Sequence, residues 1–176
     1  YMHAMGNSVG GLHKYTELEN KYPMYQGGFI WDYIDQAIMK KDRNGREFLA
    51  YGGDFKDRPT DYSFCGNGLV FADRQITPKM QEVKFLYQNI KLEPTRTHIT
   101  IVNENLFANT DDQVLVYRLF HEGKEIAAGQ ANIEVEAQSE FSLPIELPDV
   151  DGVPGEYCIQ ASLMLREAAL WADAGF

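Results

Sequence analysis

The chain has 176 residues, 44% of them apolar, 12% aromatic and 24% charged, which places it among soluble globular proteins and outside the disordered class. Its formal net charge of −10 argues against a nucleic-acid partner, because affinity gained by displacing counterions from phosphates needs clustered lysine and arginine. No apolar run approaches the roughly 20 residues that span a bilayer, and Tyr1-Met2-His3-Ala4-Met5-Gly6 has neither the basic flank nor the apolar stretch of a secretory signal.

Residues 8–21 predict a helix, with Ser8 as its cap and Leu12, Tyr15 and Leu18 at helical spacing before Pro23. Gln26-Gly27-Gly28-Phe29-Ile30-Trp31-Asp32-Tyr33-Ile34 is too short and too apolar for a typical surface helix and predicts a buried strand of a parallel sheet. Asn44-Gly45, between Ile38–Lys41 and Glu47–Tyr51, predicts a two-residue hairpin turn. Gly52–Asp61 predicts a long loop, and Pro78 opens a second helix reaching about Gln88. Helix, buried strand, loop and helix are parts of an α/β barrel, and this stretch is long enough for only about a quarter of the eight strand–helix units.

From His98 the period changes to two. His98–Val102, Val114–Phe120, Ile126–Ala128, Ala131–Val135, Glu140–Leu143 and Tyr157–Leu163 predict short strands of an immunoglobulin-type sandwich. Charge divides at the same place: residues 1–90 carry 11 basic against 11 acidic side chains, residues 91–176 carry 5 against 15. The expected organisation is therefore a barrel portion over 1–90, a linker over 91–95 marked by Pro94, and a sandwich over 96–176 lacking its last strand. Cys65 and Cys158, one in each part, are read as buried thiols of a reducing, cytoplasmic compartment. There is no Cys or His pair at zinc spacing, no phosphate-binding glycine loop and no internal repeat.

Four runs carry the chemistry: His3-Ala4-Met5-Gly6-Asn7-Ser8, Gln26-Gly27-Gly28-Phe29-Ile30-Trp31-Asp32, Tyr51-Gly52-Gly53-Asp54-Phe55, and Asn67-Gly68-Leu69-Val70-Phe71-Ala72-Asp73-Arg74. In this order they resemble the C-terminal part of the catalytic TIM barrel of the glycoside hydrolase family 2 β-galactosidases, followed by that family's immunoglobulin-like domain. The resemblance implies a retaining exo-β-galactosidase acting on terminal β-D-galactosides such as lactose. It places the nucleophilic glutamate immediately before Tyr1 and the acid/base glutamate further upstream, so neither carboxylate lies in the chain, and the segment alone is expected to be inactive. It implies that His3 and Asn67 orient sugar hydroxyls, His3 as a donor, and that Trp31 forms a wall of the galactose pocket. The Phe64 carbonyl and the Asn67 side chain would hold part of a sodium site, with magnesium bound by residues elsewhere in the parent enzyme. Expected partners are the galactoside, the remaining domains and further copies of the full-length protein.

Read without the resemblance, His3 would be a satisfied structural histidine, Trp31 equally a core residue, and Asn67-Gly68 a simple turn. Asp32 and Asp35 flank Tyr33-Ile34, and the expected role for both is structural hydrogen bonding rather than catalysis. Asp111, Asp112, Glu134 and Glu136 are expected on solvated faces, and Met2, Met5 and Met24 in packing. His13, His98 and His121 have no evident chemical role. The competing class of function is a non-catalytic carbohydrate-binding or scaffold module, and turnover of a chromogenic β-galactoside separates it from the hydrolase.

Overall fold

The computed structural model describes residues 2–176 and divides into two compact units, the first ending at Gln88 and the second running Asn89–Phe176.

In the first unit, β1 (Met2–His3) pairs in parallel with β2 (Ile30–Trp31), with Met2 opposite Ile30 and His3 opposite Trp31. Beyond β2 the chain runs beside residues 67–70. Asp32 N donates to Asn67 O at 2.9 Å, Leu69 N to Asp32 O at 3.0 Å and Val70 N to Tyr33 O at 3.0 Å, and Ile34 bridges Val70 in parallel. Three chain segments thus lie side by side with the β2 segment in the middle. Helices α1 (His13–Lys21) and α2 (Lys79–Leu86) supply Tyr15 and the set Met80, Val83 and Leu86 to a core of Ala4, Val9, Leu12 and Leu69. Met80, Val83 and Leu86 are spaced by three, so they fall on one helical face.

Several local expectations change. Helix α1 starts at His13, because Val9 and Gly11 have φ of 72° and 90° and break the helical path. Ser8 caps nothing; its hydroxyl is buried without a hydrogen-bond partner. The strand expected over Gln26–Ile34 shrinks to Ile30–Trp31, and Phe29 is 91% exposed. The hairpin β3 (Ile38–Lys41) to β4 (Glu47–Ala50) forms, but not on a two-residue turn. Asp42 closes a wider loop: its Oδ1 accepts from Asn44 N and Arg46 N, its carbonyl accepts from Gly45 N, and only Gly45 has positive φ, 81°. A carboxylate gathering two amides selects a type I turn ending in a left-handed glycine. Met2 packs beside the core, whereas Met24 is exposed.

The second unit holds two three-stranded antiparallel sheets. One has the order β5 (Ile90–Pro94), β6 (His98–Asn103), β9 (Ser139–Pro144), and the other β10 (Tyr157–Leu165), β7 (Gln113–His121), β8 (Lys124–Asn132). Alternate residues of both sheets meet in one core: Ile99, Ile101 and Leu115, flanked by Ile90, Leu92, Tyr117, Leu143 and Leu163. The segment expected as a linker over 91–95 is therefore largely β5. Proline is tolerated there because β5 lies at a sheet edge, where Pro94 stands opposite Ile99. The two strands expected over 126–128 and 131–135 are one strand, β8, after which Ile133 and Val135 drop into the core. Asn103, 1% exposed, pins that turn: its Nδ2 donates to the carbonyls of Ala108, Val135 and Glu136, and its Oδ1 accepts from Asn105 N. Glu122 and Gly123 join β7 to β8 with φ of 47° and 73°, the left-handed pair that such a tight turn requires. Cys65 and Cys158 are both free, and Cys158 is exposed rather than buried, since it falls on an outward position of β10. Asp111, Asp112, Glu134 and Glu136 are exposed.

Candidate functional site

The parallel order of the first unit brings together residues that are distant in sequence. His3 ends β1, Trp31 ends β2 beside it, and Asn67 begins the third segment. Backbone bonds fix this line: Ala4 N donates to Trp31 O at 2.8 Å, and Asp32 N donates to Asn67 O at 2.9 Å. Side chains carried at the ends of adjacent parallel strands are where barrel enzymes build their sites.

A 3-10 turn, Tyr62–Cys65, then delivers Phe64 to the same place. Its ring lies 5.9 Å from the His3 imidazole, centroid to centroid, tilted by 37°. Gln36 N donates to Cys65 O at 3.0 Å and holds the turn against the chain beyond β2. Trp31 and Phe64 are 57% and 59% exposed, so two aromatic faces stand open next to an exposed histidine. The bland alternative for Trp31, a core residue, does not hold in this structure.

Asn67 has the opposite environment. It is 2% exposed, and its Nδ2 donates to the Phe64 carbonyl at 2.5 Å. Its Oδ1 is buried with no hydrogen-bond partner. A buried amide oxygen without a donor costs on the order of 1–3 kcal/mol. A hard cation takes oxygen ligands of this kind, so the Asn67 side chain and the neighbouring Phe64 carbonyl suit such an ion. Among the described residues, no group of three or more His, Cys, Asp or Glu side chains is placed to hold a metal.

The neighbours of Asn67 fix its position. A Cβ on Gly68 would collide with the backbone of Asp35 and Val70, so only glycine allows this approach. Asp35 Oδ1 accepts from Gly68 N at 2.6 Å, and Thr77 Oγ1 donates to Leu69 O at 2.6 Å. Asp32 Oδ2 accepts from Gln36 Nε2 at 2.8 Å. Asp35 thus takes the structural hydrogen bond expected of it, and Asp32 does so through Oδ2 while its Oδ1 is buried without a hydrogen-bond partner. Lys79, at the start of α2, donates from Nζ to Ala4 O and to Gly68 O, each at 2.6 Å. Sequence reading missed Lys79 and the Asp35–Gly68 contact, because a side chain bound to a remote backbone atom leaves no periodic trace.

The loop leading to Phe64 is ordered by its own carboxylates. Tyr51 N donates to Asp54 Oδ2 and Gly53 N to Asp57 Oδ1, each at 2.9 Å. The Gly53 amide holds the Asp57 carboxyl below the usual carboxylate range.

Residues 1–92 match the family described as Glycosyl hydrolases family 2, TIM barrel domain, and residues 99–176 match Beta-galactosidase, domain 4. The chain belongs to glycosyl hydrolase family 2. The resemblance carried by the four motif runs is thereby shown, together with a partial barrel followed by a β domain. Relatives of the family agree across the whole chain. A protein named Beta-galactosidase from Halalkalibacterium halodurans is 61% identical over 99% of this chain and 17% of its own length. Another of that name from Clostridium acetobutylicum is 55% identical over 100% of the chain and 20% of its length, and one from Streptococcus thermophilus is 49% identical over 99% and 17%. The chain thus spans about a fifth or less of the curated relatives it matches. Among the described residues, no helix is long and apolar enough to cross a membrane.

Proposed function

We propose that this chain is the pocket-lining segment of a retaining exo-β-galactosidase that hydrolyses terminal β-D-galactosides such as lactose. The observation that carries the reading is the line of His3, Trp31 and Asn67 along three adjacent segment ends, with the donorless Asn67 oxygen next to the Phe64 carbonyl. Sugar C–H groups pack on the open Trp31 face, and His3 hydrogen-bonds the ring hydroxyls. Phe64 O and Asn67 Oδ1 supply two of the oxygens of a sodium site. A sodium ion held there would supply a positive charge to a sugar hydroxyl beside Asn67.

Retaining hydrolysis needs two carboxyls about 5–5.5 Å apart, one as nucleophile and one as proton donor. The family resemblance assigns both roles to glutamates upstream, the nucleophile directly before Tyr1 and the acid/base earlier, while Asp35 and one oxygen of Asp32 hold structural bonds to Gly68 and Gln36. Magnesium, in this reading, is held by residues outside the chain. The second unit is an immunoglobulin-like domain, and the enzyme works as an oligomer in a reducing, cytoplasmic compartment, in keeping with two free thiols.

The test uses the full-length protein and a chromogenic β-galactoside, with sodium exchanged for a bulky organic cation at constant ionic strength. Turnover that needs sodium is expected, and Asn67→Ala should lower kcat/KM by about tenfold or more and abolish the sodium response. Equal activity in both salts defeats the sodium assignment. Turnover by residues 1–176 alone defeats the assignment of both carboxylates to upstream segments.

A further inference from the structure

We infer that Lys79 is a positioning residue for the sugar-binding line: its ammonium fixes how far apart His3 and Asn67 stand. The inference rests on the reading of that line as a galactoside pocket.

Lys79 Nζ donates at 2.6 Å to Ala4 O, one residue past His3, and at 2.6 Å to Gly68 O, one residue past Asn67. These two carbonyls do not belong to neighbouring segments. Segment β1 pairs with β2, and the continuation of β2 pairs with residues 67–70, so the middle segment separates them. Both bonds are short, so the two carbonyls converge on one ammonium, which ties the outer two segments where they approach each other. Backbone ladders set each adjacent spacing; across both, Lys79 adds a directional polar link to the apolar packing of Ala4 and Leu69. That distance sets His3, which meets the sugar in this reading, against the buried Asn67 amide and the Phe64 carbonyl beside it.

The chemistry of the link matches this role. Its bonds are charge-assisted and short, and its geometry is that of a point donor with three N–H groups, two of them committed here. Among the described residues the ammonium has no carboxylate in ion-pair range, so its charge is balanced by carbonyl dipoles alone. Ala4 is fully buried and Gly68 accepts no Cβ, so neither carbonyl can drift far without disturbing the core. Lys79 itself is four helical positions from Val83, a core residue, which anchors the start of α2 against the same strands.

The experiment compares Lys79→Met and Lys79→Arg with the unsubstituted full-length protein. Four quantities are measured: KM for 4-nitrophenyl β-D-galactoside, the inhibition constant of free galactose, kcat, and the thermal midpoint. Methionine keeps the length of the stem and removes the donors. KM and the galactose constant should rise together by about tenfold, with kcat per folded molecule changing less, because the displaced groups hold the sugar rather than break it. Lys79→Arg keeps the charge but cannot place one donor atom against both carbonyls, so its constants should lie between. A lower thermal midpoint with both constants unchanged would mean that Lys79 only supports the fold, and the inference is overturned. If Lys79→Met yields no folded protein, Lys79→Arg decides by the same two constants. Full-length protein that turns over no β-galactoside overturns the functional reading and this inference with it, whereas an active protein with unshifted constants overturns the inference alone.

Discussion

Asn67 shows how much one side chain can be asked to do. Its amide nitrogen fixes the Phe64 carbonyl, its own carbonyl accepts from the Asp32 amide, and its remaining oxygen is left facing inward without a donor. The motif runs contain His3, Trp31 and Asn67, and Phe64 entered through the resemblance alone, from between two of the runs. Lys79 escaped that reading, and so did the particular contacts that Lys79 and Asp35 make. Their partners are backbone atoms, which every residue has, so nothing in the spelling of the chain marks them. Asp57 offers a prediction at this scale. Its carboxyl is held low by the Gly53 amide, so the loop contact is fully present above the ordinary carboxylate range and is lost as pH falls through the lowered value. The Gly53 amide resonance should stay constant on acidification to about pH 4 and shift below it. The same shift persisting in Asp57→Asn would assign it to another group.

Among the elements, the central strands were legible and the edges were not. Strand β6 alternates cleanly between buried and part-exposed positions, β7 buries Leu115 and Leu119 with part-exposed residues between, and the ranges of both agree with the sequence to within a residue or so. Strand β5 was hidden by Pro94, a residue that disrupts an interior strand but costs little where one side of the ladder has no neighbour. Strand β8 was read as two pieces, parted at Gly129-Gln130. In the sheet, Gly129 stands opposite Tyr117, and a Cβ there would run into the phenol ring. The glycine is a recess for an aromatic that also packs on the core. Gly129→Ala should therefore destabilise the chain by about 1–3 kcal/mol, read as a lower denaturant midpoint. An unchanged midpoint would show that the Tyr117 ring has another resting place.

For the whole molecule, the two units differ in how they are held. The second has two sheets closing on a shared interior, while the strands of the first that carry the site are two residues long and leave Phe29 and Trp31 open. Expressed separately, residues 89–176 should show cooperative unfolding and slow amide exchange, and residues 1–88 should not. A fragment beginning at residue 95 should be weaker than one beginning at 89, since it lacks Ile90 and Leu92 of β5. Uniform protection in both separate units would refute this ordering. The parallel stacking of the first unit also has an evolutionary consequence. His3, Trp31 and Asn67 are locked by main-chain bonds at their own positions, while the stretch from Ile38 to Asp61 leaves and returns as an independent excursion built on its own turns. Such an excursion can lengthen, shorten or change sequence without disturbing the three anchors. Descendants of this scaffold can thus vary the excursion while inheriting the three anchors intact.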